Sequence, residues 1–135
     1  MQDPYLKKFE DSKKFFEVYP HPSMVVLFGL NKILKYKSKP NRDYAFRWKE
    51  FKKYQYHLKK LKPALILPKE ISNKKMSTLK GNSLKDYEDL LDAVFCAYIS
   101  YYYWKYPDKC AILGNMKERY ILTPIFSHMR SKVYK

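Results

Sequence analysis

The sequence predicts an α/β fold, rich in helix and with a small sheet, in a single domain that spans residues 1–135. Three observations lead to this prediction. Apolar side chains recur at spacings of three and four between Asp43 and Leu61, a nearly continuous apolar run covers Ala93–Trp104, and a short segment, Lys14–Tyr19, alternates as strands do. With 46% hydrophobic residues, the chain can bury a core of ordinary size.

The first elements follow a polar arm at residues 1–13. Alternation in Lys14–Tyr19 predicts a strand, which Pro20 and Pro22 end. Because proline suits the first helical turn and glycine suits the position after a helix, Pro22 to Gly29 predicts a short buried helix with a glycine cap.

The middle of the chain is dominated by one amphipathic helix. Asp43 is its expected N-cap, and the helix is expected to end before Pro63. The short apolar segment Ala64–Leu67 fits either a strand or a buried connector, and residues 69–84 are expected to form a mobile basic loop.

The C-terminal half is expected to begin with a long helix, capped by Ser83 or Asp86 and continuing to Trp104. After its first turn this helix is apolar on nearly every side, so the sequence predicts that it is deeply packed. Glu118 to Thr123 is the last strand candidate.

Charge indicates a polyanionic partner. The chain carries 28 lysines and arginines and a formal charge of +15, which favours nucleic acid, DNA or RNA. There is no apolar run long enough for a membrane span and no secretion signal, and the two cysteines lack metal-ligand spacing. We therefore expect a cytoplasmic protein with no membrane partner.

An acidic cluster interrupts this basic chain. Glu88 and Asp92 are four residues apart and Asp89 and Asp92 three apart, so on a helix such pairs share a face. Like charges at these spacings repel unless a cation neutralises them, and magnesium is commonly held by one or two carboxylates. The alternative is a solvent-facing helix start, where acids suit the helix dipole.

Glu17 is a second candidate, a lone acid among aromatic residues on a predicted strand. A strand carboxylate that converges with two helix carboxylates can build a two-metal phosphodiester site. An edge-strand glutamate paired with a lysine is the alternative. His21 is a candidate proton shuttle, although its proline neighbours favour a structural role.

Three segments, in order, resemble domain-of-unknown-function family 429, which is described as predicted ribonuclease H-like nucleases. They are Phe16–Gly29, Tyr87–Ala97 and Gly114–Pro124, while Tyr36, Lys37 and Arg47 fit the basic middle section of that family more loosely. The resemblance covers residues 14–125.

The resemblance implies a ribonuclease H-like α/β fold whose acids bind magnesium or manganese. Glu17 corresponds to the strand acid, Asp89 and Asp92 to the catalytic and metal-binding helix pair, and Glu88 is an auxiliary. We expect the carboxylates of Glu17, Asp89 and Asp92 to converge within about 8 Å, near enough for a metal pair about 4 Å apart.

One departure from the family limits the expected activity. Family members begin with strands that carry an aspartate, and nothing before Lys14 resembles them, so the chain is interpreted as the C-terminal part of the domain. We expect a weak or inactive nuclease and a homo-oligomer formed through the exposed edge of the Glu17 strand or the aromatic surface around it. The alternatives are an oligomeric interaction module or a non-catalytic nucleic-acid-binding protein that contacts phosphates through Lys37, Arg42, Arg47, Lys74 and Lys75.

Overall fold

The structure, a computed structural model, describes residues 16–114 and 120–125. Its elements, in chain order, are β1 (Phe16–Glu17), α1 (Pro20–Phe28), α2 (Tyr44–Lys59), α3 (Lys69–Ser72), α4 (Gly81–Lys105), β2 (Cys110–Gly114) and β3 (Tyr120–Pro124). Single 3₁₀ turns occupy Met76–Thr78 and Pro107–Lys109. The predicted helix-rich α/β fold with a small sheet is confirmed.

The sheet of the described residues has three strands in the order β1-β3-β2. β1 runs parallel to β3, with Glu17 opposite Ile121, and β2 runs antiparallel to β3, with Ile112 opposite Leu122. Sequence patterns predicted β1 and β3 but not β2. The residues of the predicted first strand at positions 14 and 15, and Glu118 of the last, lie outside the described residues.

Two helix caps follow directly from the sequence. Asp43 caps α2, because its Oδ1 accepts a hydrogen bond from the amide of Phe46 at 2.8 Å. Gly29 ends α1 with φ 70° and donates its amide to Val25, a left-handed conformation that glycine adopts without steric cost. Both predicted caps are confirmed.

The segment between α2 and α4 differs from the predicted loop. Residues 69–84 contain α3, a 3₁₀ turn and the first turn of α4, and Ala64–Leu67 is a connector rather than a strand. Hydrogen bonds to α2 and α4 explain this order: Gln55 of α2 donates to the carbonyl of Lys74 at 3.0 Å, and Tyr87 of α4 donates its hydroxyl to the carbonyl of Ile71 at 2.5 Å. The backbone of the segment is therefore fixed to two helices.

The core lies between α2, α4 and the 31–36 connector, and it is unusually aromatic. Its fully buried large side chains include Tyr36, Phe51, Tyr54 and Phe95, and the ring centroids of Tyr36 and Phe51 are 5.1 Å apart. Such tilted ring pairs add to the hydrophobic gain of burial.

The expectation that α4 is buried on nearly every side is wrong. One face of the helix packs on the core through residues such as Leu91, Phe95 and Ile99, but Leu90, Tyr101 and Trp104 remain exposed. No described element covers that second face. Among the described residues, no helix is long and apolar enough to cross a membrane.

Candidate functional site

The acids of α4 fall on two different faces of the helix. Glu88 and Asp92, one turn apart, face α2 and the connector before it, and their side chains are 3% and 15% exposed. Asp89 points towards solvent with 62% of its side chain exposed, and it shares Lys85 with Glu88, because the ammonium of Lys85 lies 3.2 Å from both carboxylates. The structure thus brings together Glu88 and Asp92, rather than Asp89 and Asp92.

Glu88 is surrounded by cations. Its Oε2 lies 3.0 Å from the ammonium of Lys37 and 3.2 Å from that of Lys85, and its Oε1 lies 3.3 Å from the guanidinium of Arg47. A carboxylate this buried is costly without partners, and three positive charges supply them. Glu88, expected to be an auxiliary, is the most buried acid of the site.

Asp92 is held by hydroxyl groups and one ammonium. Tyr36 and Tyr54 donate their hydroxyls to its Oδ1 at 2.7 and 2.9 Å, and Lys37 donates to its Oδ2 at 2.6 Å. Burial, with the nearby Asp92 charge, raises the pKa of both tyrosines far above the ordinary range. Both hydroxyls therefore stay protonated and act as donors.

Lys37 joins the two acids. Its ammonium contacts Glu88 and Asp92 together, so one positive charge occupies the space between two carboxylates. Burial lowers the pKa of Lys37, but the hydrogen bonds to Asp92 and Glu88 outweigh it, and the pKa is raised overall. We call Lys37, Glu88 and Asp92, with the hydroxyls of Tyr36 and Tyr54, the acid cluster.

Two arginines fix the backbone that presents Lys37. Arg47 is 8% exposed and donates its Nε to the carbonyl of Tyr36 at 2.8 Å, while Arg42 donates to the carbonyl of Lys37 at 3.1 Å. Both predicted phosphate-binding arginines are thus committed to internal contacts. Lys74 and Lys75, by contrast, are exposed.

His21, at the start of α1, borders the acid cluster. Its ring centroid is 5.2 Å from that of Tyr36, and its buried Nδ1 has no hydrogen-bond partner among the described residues. Burial, followed by the positive charge of Lys37, lowers the pKa of His21. The imidazole is therefore neutral near pH 7, a state in which a nitrogen can accept a proton.

The end of β1 lies beside α4, one turn from Asp92. The Sγ of Cys96, one turn beyond Asp92 on α4, lies 4.0 Å from the carbonyl oxygen of Val18, which directly follows Glu17. This contact places the end of β1 next to α4. The side chain of Glu17 lies outside what the structure describes, so its approach to Asp92 stays a prediction, while Asp89 lies on a different face of α4 from Asp92.

The described residues contain no group of three or more His, Cys, Asp or Glu side chains arranged to hold a metal ion. Glu88 and Asp92 alone supply two hard oxygen donors, of the kind that magnesium prefers. Both are already bonded to Lys37. A divalent ion between them would have to displace that ammonium.

Sequence reasoning missed the two tyrosines as site residues. Tyr54 belongs to the apolar spacing that predicts α2, yet its hydroxyl reaches Asp92 across 38 residues of sequence. The available signal was the spacing of Glu88 and Asp92, which placed them on one face. A buried acid pair requires donors, and tyrosines of the same core are natural candidates.

The fold and the acid cluster define a helix-rich α/β domain with a carboxylate pair that is neutralised from within the chain. A family model described as protein of unknown function (DUF429) matches residues 2–118, so the chain belongs to that family. No curated protein and no solved structure matches the chain.

Proposed function

We propose that the chain is a ribonuclease H-like nucleic-acid-binding domain with weak or no metal-dependent nuclease activity. The observation that carries this proposal is the position of Lys37, whose ammonium lies 3.0 Å from Glu88 and 2.6 Å from Asp92. A ribonuclease H-like nuclease uses such a carboxylate pair to bind metal. Here a side chain of the same protein provides the neutralising charge.

Metal chemistry at this site depends on three acids. Glu17, Glu88 and Asp92 would hold magnesium or manganese, which when bound would activate a water molecule and stabilise the leaving oxygen. Within the described part of the chain, the donor set is a pair, which is compatible with magnesium but incomplete for two metals. Competition from Lys37 supports weak metal binding and low activity.

Nucleic-acid binding is supported by the distribution of exposed lysines. The C-terminal end of α2 lies beside the Lys74–Lys75 segment, because the ammonium of Lys59 donates to the side chain of Asn73 at 2.7 Å. Lys59, Lys74 and Lys75 are all exposed. Exposed lysines on neighbouring segments can neutralise phosphates without reading sequence.

Lys80 is a further exposed lysine, and it lies beside two aromatic rings. The ammonium of Lys80 lies 5.9 Å from the ring centroid of Tyr44 and 5.8 Å from that of Trp48, and these two rings stack with centroids 5.8 Å apart. Tyr44 is 38% exposed. An aromatic platform beside a lysine is a common way of contacting single-stranded nucleic acid.

The test separates binding from cleavage. We expect purified protein to bind fluorescent duplex DNA and RNA without sequence preference, and to show no cleavage above background with magnesium or manganese. Asp92→Asn should leave this background unchanged, as should the control Asp86→Asn at an exposed position of α4 outside the acid cluster. Robust metal-dependent cleavage that Asp92→Asn alone abolishes would refute the weak-activity half.

Binding that does not change with salt would refute the other half of the proposal. Each neutralised phosphate contributes about one unit to the slope of log affinity against log salt, so a true nucleic-acid binder must be salt-sensitive. A salt-insensitive or undetectable interaction would instead favour the oligomeric interaction module.

A further inference from the structure

Two aromatic rings of α2 form a stacked pair at the surface, next to the start of α4. The ring centroids of Tyr44 and Trp48 are 5.8 Å apart, and the ring planes are inclined by 18°. Tyr44 is exposed and Trp48 is half-buried. Because Trp48 lies against one face of the Tyr44 ring, the opposite face of that ring is the one directed away from the pair. We call Tyr44, Trp48 and Lys80 the aromatic platform.

Both rings are held in place by the backbone that leads into α4. The Tyr44 hydroxyl accepts a hydrogen bond from the amide of Gly81 at 3.0 Å, and the indole Nε1 of Trp48 donates to the carbonyl of Leu79 at 2.9 Å. A ring that is already fixed loses little conformational entropy when a second planar group stacks on it. The pair is therefore preorganised for stacking.

Lys80 supplies a positive charge beside this pair. Its ammonium lies 5.9 Å from the ring centroid of Tyr44 and 5.8 Å from that of Trp48. Since the two distances are nearly equal, the ammonium lies to the side of the pair and leaves the outer face of the Tyr44 ring uncovered. Lys53 and Lys85 pair with carboxylates, but none of the acids in the described part of the chain pairs with Lys80. Its charge is therefore available to an anion.

A flat ring beside an ammonium matches the two parts of a nucleotide. The base can stack on the ring, and the phosphate can approach the ammonium. A base inside a duplex must first leave its stack and its partner, which costs free energy, whereas an unpaired base needs no such step. The chain as a whole, with a charge of +15, attracts a polyanion.

We propose that the aromatic platform binds an unpaired base and an adjacent phosphate, so that the chain prefers single-stranded to duplex nucleic acid. This inference rests on the proposed nucleic-acid binding and adds the class of nucleic acid that is bound. Exposed lysines such as Lys74 and Lys75 can contact the phosphates of either form. The aromatic platform is the part of this surface that distinguishes the two forms.

Fluorescence anisotropy of the full chain with two labelled probes tests the proposal. The probes are an oligothymidine of about 16 nucleotides and a duplex of the same length. The wild type should bind the single strand more tightly at equal salt. Tyr44→Leu removes the ring and should weaken single-strand binding about five- to hundredfold, while duplex binding stays unchanged. The matched control is Phe46→Leu, which removes a ring of similar exposure, 37% against 38%, and should change neither affinity.

Salt dependence separates stacking from charge. Stacking releases no counterion, so Tyr44→Leu should leave the slope of log affinity against log salt unchanged. Lys80→Met should lower this slope by about 0.7 units for the single strand, and an unchanged slope would exclude Lys80 as a phosphate contact and overturn that part of the proposal.

Tyr44→Phe distinguishes stacking from a structural role of Tyr44. This variant keeps the ring but loses the hydrogen bond to Gly81, so it should bind the single strand as the wild type does. Circular dichroism confirms that each variant is folded. If Tyr44→Phe lost as much affinity as Tyr44→Leu, the role of Tyr44 would be to hold the start of α4, and the proposal would be overturned.

Two negative results have different meanings. Salt-dependent binding that is equally tight for single strand and duplex, and that Tyr44→Leu does not change, would overturn this inference and leave the proposed function intact. If neither probe bound with salt dependence, the proposed nucleic-acid binding itself would fail, and this inference with it.

Discussion

Replacing Lys37 with methionine tests the central feature of the acid cluster. Methionine keeps the length of the side chain and removes its charge, so the packing near Tyr36 is retained while the ammonium that joins Glu88 and Asp92 is lost. The matched control is Lys39→Met, two residues away at an exposed position. Both variants remove one positive charge from the segment between α1 and α2.

The expected loss of stability depends on the partners that Glu88 and Asp92 retain in the variant. Loss of one partner from a fully buried ion pair costs about 3–5 kcal/mol. Here the Lys37 side chain is 33% exposed, Glu88 retains Arg47 and Lys85, and Asp92 retains both tyrosine hydroxyls. We therefore expect Lys37→Met to lower the free energy of unfolding by about 2 kcal/mol, and the exposed Lys39→Met by less than about 0.5 kcal/mol.

Thermal unfolding gives the first measurement. For a domain of this size, a loss of about 2 kcal/mol lowers Tm by roughly 8 °C. Magnesium should then raise the Tm of Lys37→Met more than that of the wild type, since removal of the ammonium exposes two carboxylates to a divalent ion. A metal concentration of about ten times Kd would restore about 1.4 kcal/mol.

Terbium emission gives an independent measurement of the same change. Terbium is a hard, oxygen-seeking ion that tyrosine can sensitise, and Tyr36 and Tyr54 both touch Asp92. We expect stronger sensitised emission from Lys37→Met than from the wild type or Lys39→Met. The reasoning is refuted if Lys37→Met is no less stable than Lys39→Met, or if magnesium stabilises the wild type equally.

Three further outcomes are expected. Replacing both Lys74 and Lys75 with alanine should lower the slope of log affinity for duplex DNA against log salt by up to about two units, measured by fluorescence anisotropy, and an unchanged slope would exclude them as phosphate contacts. Because the pKa of His21 is lowered in the folded state, the unfolded state binds the proton more readily. The contribution of neutral His21 to the free energy of unfolding is therefore complete above pH 6.5 and is lost as pH falls through the folded pKa. His21→Phe should reduce this pH dependence, as measured by urea titrations. Phe95→Ala should lower the free energy of unfolding by about 3–5 kcal/mol in the same urea titration, because the ring of Phe95 is fully buried among aromatic neighbours. A decrease below about 1 kcal/mol would contradict this packing.

Local patterns predicted the main elements of the fold well. Helical spacing located α2 and α4, and the caps Asp43 and Gly29 marked two helix ends correctly. These features depend on residues a few positions apart, which the sequence shows directly. β2, Cys110–Gly114, was missed because this short run shows no alternation of apolar and polar residues. The exposed face of α4 was missed because periodicity does not reveal which sides of an apolar helix a neighbour covers.

The candidate site was predictable only in outline. The acids of α4 were found from their spacing, but their separation into a buried pair and an exposed Asp89 depends on contacts with Tyr36, Lys37 and Tyr54, which are 38 to 56 residues distant from Asp92 in sequence. The position of the Glu17 carboxylate, the metal and the nucleic-acid partner remain predictions.

The ammonium of Lys37 is a counterion that cannot diffuse away. Because it is covalently part of the chain, it is present once per molecule whatever the composition of the buffer. Chelators such as EDTA, which unfold many small metal-binding domains, should leave the fold of this protein intact. The acid cluster therefore separates folding from metal supply, and the domain can assemble where divalent ions are scarce.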